Sequence, residues 1–135
     1  MYANILIPVA LDHEPLVARK LANARALLSP GGRITLLTVL ESIPGFVAEY
    51  VDMDSKNHLT QAVNARLETV ANEDPAIACR VASGKPGVRI AQIAEEQGHD
   101  LIIVGSHHPS AQDYFLGSTA SRVVRRAQCA VLVLR

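Results

Sequence analysis

The sequence predicts an α/β fold: a doubly wound, five-stranded parallel sheet with helices on both faces. Three observations predict it. Short runs are apolar at consecutive positions, the segments between them repeat apolar residues at helical spacing, and the two patterns alternate along the chain.

The first strand is the run Ile5, Leu6, Ile7 and Val9. Runs apolar at consecutive positions suit strands covered by helices on each side, as in parallel sheets. Val17, Leu21, Ala24 and Leu28 then recur at spacings of three and four, one face of a helix for which Asp12 is the candidate cap. Ser29, Pro30, Gly31 and Gly32 stop it, since proline cannot continue a helix and glycine accepts the left-handed conformation that follows one. Ile34, Leu36, Leu37 and Val39 form the second strand, and Leu40 to Asp52, with Pro44 and Gly45, is an irregular stretch suited to a lid. Leu59, Val63, Leu67 and Val70 mark the second helix, and Ile77 to Val81 a weaker strand. Ile90, Ile93 and Ala94 mark a third helix that Gly98 ends, followed by the strand Leu101 to Val104. Ala120, Val123, Val124 and Ala127 mark the fourth helix, and Val131 to Leu134 the last strand. Parallel crossovers are right-handed, and ligands of such sheets sit beyond the carboxyl ends of the strands where strand order reverses.

The chain has 135 residues, the size of one domain, and residues 1–135 are expected to form one. Hydrophobic residues at 49% against 19% charged exclude a disordered chain. A formal net charge of zero gives no support to a broad basic surface for nucleic acid and leaves room only for a local basic patch, so no nucleic-acid partner is expected. Met1 to Pro8 lacks a basic leader, and no apolar run approaches the ~20 residues of a membrane helix, so a cytoplasmic protein is expected. Cys79 and Cys129 are too few and too far apart for a disulfide framework and read as small buried residues.

The chemistry concentrates between Gly105 and Ser118. Val104, Gly105, Ser106, His107, His108 and Pro109 leave the carboxyl end of a buried strand, and Leu116, Gly117, Ser118 and Thr119 lead into the next helix. Gly105 gives a ligand room to approach the backbone, and Gly117 frees the amides of Ser118 and Thr119 at the positive end of the helix dipole, where anions bind. On capping preference alone, Ser118 reads as an ordinary N-cap.

These residues carry a resemblance. Gly105-Ser106-His107, Leu116-Gly117-Ser118, Arg122-Val123-Val124-Arg125 with Cys129, and the closing Val131 to Leu134 resemble the universal stress protein family. Pro8-Val9 at the end of the first strand and Val81 to Pro86 before the third helix fall where that family has matching elements, so the resemblance spans the chain. It implies a Rossmann-like fold of the adenine nucleotide alpha hydrolase-like kind, a stress-response or regulatory role, and binding of ATP, with or without Mg2+, in those members that bind nucleotide. The set it implies is Pro8, Val9, Ala10, Val39, Val104, Gly105, Ser106, His107, His108, Gly117, Ser118 and Thr119.

The ATP-binding pattern is glycine, two residues, glycine, nine residues, glycine, then serine or threonine. Here His108 stands at the second glycine and eight residues separate it from Gly117. A family variant with Ser-His-Arg-Pro in this loop is similar to Ser106-His107-His108-Pro109 and has the same spacing. Members also usually carry aspartate two residues after the proline of the first strand, near the adenine; this chain has Ala10, with Asp12 close by.

His107 and His108 lack a third ligand nearby in sequence, so no metal site is expected. Gly84-Lys85-Pro86 fails the Walker A spacing, and Lys85 reads as a solvated charge at a helix start. Arg122, Arg125, Arg126 and Arg135 read as a solvated basic face. Asp113 is the loop's one carboxylate and the sequence identifies no partner that would make it a general base, so catalytic residues are not assigned. The strand Ala130, Val131, Leu132, Val133 and Leu134 would lie at a sheet edge, and both its apolar edge and the resemblance imply a homodimer built on it. Two other readings stay open: a slow ATPase or phosphotransferase, and a dimeric binding module that has lost its nucleotide.

Overall fold

The computed structural model describes residues 1–10, 14–41, 53–71, 74–106 and 116–135. The elements run β1 (Tyr2–Pro8), α1 (Glu14–Leu27), β2 (Leu28–Leu40), α2 (Met53–Ala71), β3 (Ile77–Ser83), α3 (Pro86–Glu96), β4 (Leu101–Gly105), α4 (Ser118–Arg126) and β5 (Ala130–Leu134). The strands form one sheet in the order β3-β2-β1-β4-β5, every pairing parallel.

Strand alternation divides the core in two. Ile5, Ile7, Ile34, Leu36, Leu101 and Ile103 face Val17, Leu21 and Ala24 of α1 and Leu67 and Ala71 of α2. Leu6, Leu37, Ile102 and Val104 face Ile90, Ile93 and Ala94 of α3 and Ala120 and Val123 of α4. Consecutive apolar residues in these strands are therefore a consequence of burial on both faces. Strand order first moves outward from β1 to β3, then jumps back past β1 to β4. With right-handed crossovers that reversal sends α1 and α2 to one face and α3 and α4 to the other.

Four expectations about individual residues are corrected. Leu28 opens β2, pairing with Tyr2, instead of closing the α1 face. The stop at Ser29 to Gly32 does end the helix, but it lies inside β2 as an irregularity, between the pairs Tyr2–Leu28 and Asn4–Arg33, with Gly31 at φ 77°. Leu59 is 54% exposed and Val124 45% exposed, so Val63, Leu67 and Ala71 carry the buried face of α2, and Ala120 and Val123 that of α4. Cys79 and Cys129 are half-buried, packed at the margins of the two cores; burial pushes both thiols above their usual range. Asp12 and most of the expected lid, 42–52, lie outside the described residues.

At the amino ends of the central strands, polar groups lock β1 to β4. The Asp100 carboxylate accepts from the amides of Ala3 (2.9 Å) and Asn4 (3.0 Å). The Asn4 side-chain amide donates to the carbonyls of Gln97 (3.1 Å) and Gly98 (3.3 Å), and the Asp100 amide to the Asn4 carbonyl (2.9 Å).

Candidate functional site

Strand order reverses between β1 and β4, and their carboxyl ends, Pro8 and Gly105, border a cavity of about 600 Å3. Its walls come from the end of β1 (Pro8, Val9, Ala10), the end of β2 (Leu37 to Leu40), α1 (Leu16, Lys20), the start of α3 (Pro86, Ile90), the end of β4 (Val104, Gly105) and the start of α4 (Gly117 to Ala120). The volume is within the range of small-molecule sites.

Backbone bonds shape this rim. The Val9 amide donates to the Leu37 carbonyl (2.7 Å), extending the β1–β2 seam beyond Pro8, and the buried Thr38 hydroxyl donates to the Val9 carbonyl (3.0 Å). The Ser106 amide donates to the Leu134 carbonyl (2.8 Å), which ties the exit of β4 to the end of β5. Gly117, buried, donates to the Ser106 carbonyl (3.4 Å) and so brings the two ends of the loop together.

Nine of the sequence-derived candidates line the cavity: Pro8, Val9, Ala10, Val39, Val104, Gly105, Gly117, Ser118 and Thr119. Ser106 lies on the rim and does not line it. His107, His108 and Asp113 lie outside the described residues. The N-cap of α4 is Gly117, at φ −61° and ψ 160°, not Ser118. Gly117 has no side chain to cap the helix, so among the described residues no side-chain cap bonds the first-turn amides of α4. Gly105, which lines the cavity, also has α1 packed beside it. A Cβ there would stand 2.5 Å from Leu16 Cδ2 and 3.6 Å from Lys20 Cε, so the space beside Gly105 is filled by α1.

Lys85 is exposed at the N-cap of α3 and outside the cavity, as its solvated reading requires. Arg122, Arg125 and Arg126 are likewise exposed, though the Arg122 stem lies over Gly87, where α3 and α4 meet.

The residue that sequence reading missed is Lys20. It is only 7% exposed, and its ammonium donates to the Pro8 carbonyl at 3.1 Å. Burial lowers its pKa from 10.5 to about 8. Its spacing from Val17, Leu21 and Ala24 was the available signal, a lysine on the apolar stripe of α1. Among the described residues no cluster of three or more His, Cys, Asp or Glu could hold a metal ion, and no helix is long and apolar enough to cross a membrane.

A crevice at the reversal of strand order, walled by a glycine-capped helix start, agrees with the sequence comparison. The profile of the universal stress protein family matches residues 1–135. The chain belongs to that family. It is 33% identical over 144 residues to Universal stress protein G of Escherichia coli O157:H7, with both chains covered completely. Among solved structures it is similar to universal stress protein UspA from Lactobacillus plantarum, at 28% identity and TM-score 0.69, covering 99% of this chain and 98% of that one. It shares its fold with the universal stress protein from Archaeoglobus fulgidus in complex with dAMP, at 15% identity and TM-score 0.65, covering 99% and 98% of the two chains.

Proposed function

We propose that this chain is an adenine-nucleotide-binding regulatory protein of the stress response, with residues 1–135 acting as one cytoplasmic domain that dimerises and does not turn nucleotide over rapidly. The observation that carries the reading is the 600 Å3 crevice at the strand-order reversal, into which α4 presents its glycine-capped first turn. Phosphates would rest between the two loop ends, Gly105 to His108 and Gly117 to Thr119, on the first-turn amides of α4, where the helix dipole favours an anion; the Ser106 and Gly117 amides themselves are held by the carbonyls of Leu134 and Ser106. Pro8 to Ala10 and Val39 offer an apolar wall for the base. The ligand is ATP, with or without Mg2+. The dAMP held by the Archaeoglobus fulgidus protein, on the same fold, supports the ligand class.

Gly117→Val tests the phosphate placement. Its side chain would occupy the space a phosphate needs, so ATP binding should be abolished while the far-ultraviolet circular dichroism stays native. Unchanged affinity in titration calorimetry would remove the placement. Steady phosphate release by the wild type would mark a slow ATPase in place of a binding protein.

A further inference from the structure

Lys20 is a charged residue built into an apolar stripe. It shares the inner face of α1 with Val17, Leu21 and Ala24, all buried. Its stem passes beside Gly105 and its ammonium ends on the Pro8 carbonyl, so the side chain spans the two strand ends between which the order reverses. Among the described residues that line the cavity, it carries the one formal charge.

An ammonium has three donors, and the Pro8 carbonyl takes one. A neutral carbonyl compensates a buried charge poorly, and among the described residues no carboxylate pairs with this one. Burial holds the group near 8, so at neutral pH it is still mostly protonated. An apolar side chain at the same place would fill the stripe without any such penalty. The arrangement gains only when an anion enters the crevice, because the pair then forms where water is largely excluded.

We propose that Lys20 is the charge-selecting residue of this crevice: anchored on Pro8, its ammonium takes an anionic phosphate oxygen of the ligand, so that the site selects nucleotides over the corresponding nucleosides. This rests on the nucleotide reading above and adds a side-chain cation to its backbone amides. The amides of α4 donate to any suitably placed oxygen, whereas a buried cation discriminates by charge. Selection is therefore assigned to a side chain of α1, in addition to the helix start that follows the loop carrying the family pattern.

Titration calorimetry of AMP and adenosine, which share base and sugar and differ by the phosphate, tests it. Wild type should prefer AMP. In Lys20→Met that preference should fall by about tenfold or more, the scale of a charge-assisted hydrogen bond. Lys20→Gln keeps a donor for the Pro8 carbonyl without the charge and should show the same fall. Both variants should melt no lower than wild type, because a penalised charge has left the interior. An unchanged AMP-to-adenosine ratio, or equal losses of both ligands, overturns the role of Lys20 and leaves the nucleotide reading intact. A wild type that binds neither AMP, adenosine nor ATP removes that reading, and the role of Lys20 with it.

Discussion

Ala10 presents a methyl group to the crevice at the place where members of the family usually carry a carboxylate near the adenine. If base and phosphates are held by different elements, its absence weakens base recognition and leaves the phosphate contacts alone. One hydrogen bond is worth about 1 kcal/mol, so Ala10→Asp should raise ATP affinity several-fold while inorganic triphosphate affinity hardly changes. Titration of both ligands checks this. An equal gain for both would mean that residue 10 acts by general electrostatics, and no gain for either would mean that another group, Asp12 first among them, already supplies the contact. Alanine at residue 10 was legible in the sequence; the burial of Lys20 in the same crevice was not, because side-chain burial depends on what packs over α1.

Among the elements, the β1–β4 seam is tied by polar groups at its amino end. Its ladder is short, with the register pairs Ile5–Leu101 and Leu6–Ile102, and the Asn4–Asp100 lock extends it. His99 is buried beside it, with Nδ1 lacking a hydrogen-bond partner among the described residues. Desolvation dominates and lowers the His99 pKa below 6.5, against the bond to Asn4 and the charge of Asp100. For Asp100, partial desolvation opposes ionisation, but the amides of Ala3 and Asn4, its own amide and the charge of His99 outweigh it and hold the carboxyl below 3.8. Both groups have depressed folded values, so the unfolded chain takes up protons first as pH falls. The contribution of His99 is complete above 6.5 and is lost as pH drops through its lower folded value; that of Asp100 is complete above 3.8 and is lost below it. Melting temperature should therefore fall in two stages on acidification. His99→Gln should flatten the first, and an unaltered slope just below pH 6.5 in that variant would contradict the assignment.

At the scale of the molecule, β5 is an edge strand whose two faces are both apolar and both incompletely covered. Leu132 and Leu134 pack at the margin of the α1–α2 core, and Val131 and Val133 at the margin of the α3–α4 core. Such an edge invites a second strand. A homodimer through Ala130 to Leu134 is therefore expected, and Val131→Lys with Val133→Lys should yield monomers in light scattering. A mass that remains twice the chain's would move the interface elsewhere. The Leu134 carbonyl also receives the Ser106 amide, so this edge and the exit of β4 share a bond; the monomeric variant should bind nucleotide less tightly if the dimer stiffens that end of β5.

Element order and the location of the crevice were legible in the sequence. Apolar runs and helical spacings report local periodicity, and the handedness of crossovers then leaves few topologies. The helix after Gly117 was legible for the same reason, from the spacing of Ala120 and Val123, although capping preference alone places the cap one residue late, at Ser118. What only the tertiary structure decided depends on packing between segments far apart in the chain. Leu28 leaves its helix to pair with Tyr2, Leu59 and Val124 turn outward although their spacing fits an inner face, and Gly105 makes room for Leu16. Lys20 is the clearest case. In the sequence it is one more lysine on an amphipathic helix, and only the approach of β1 and β4 encloses its charge and makes it part of a site.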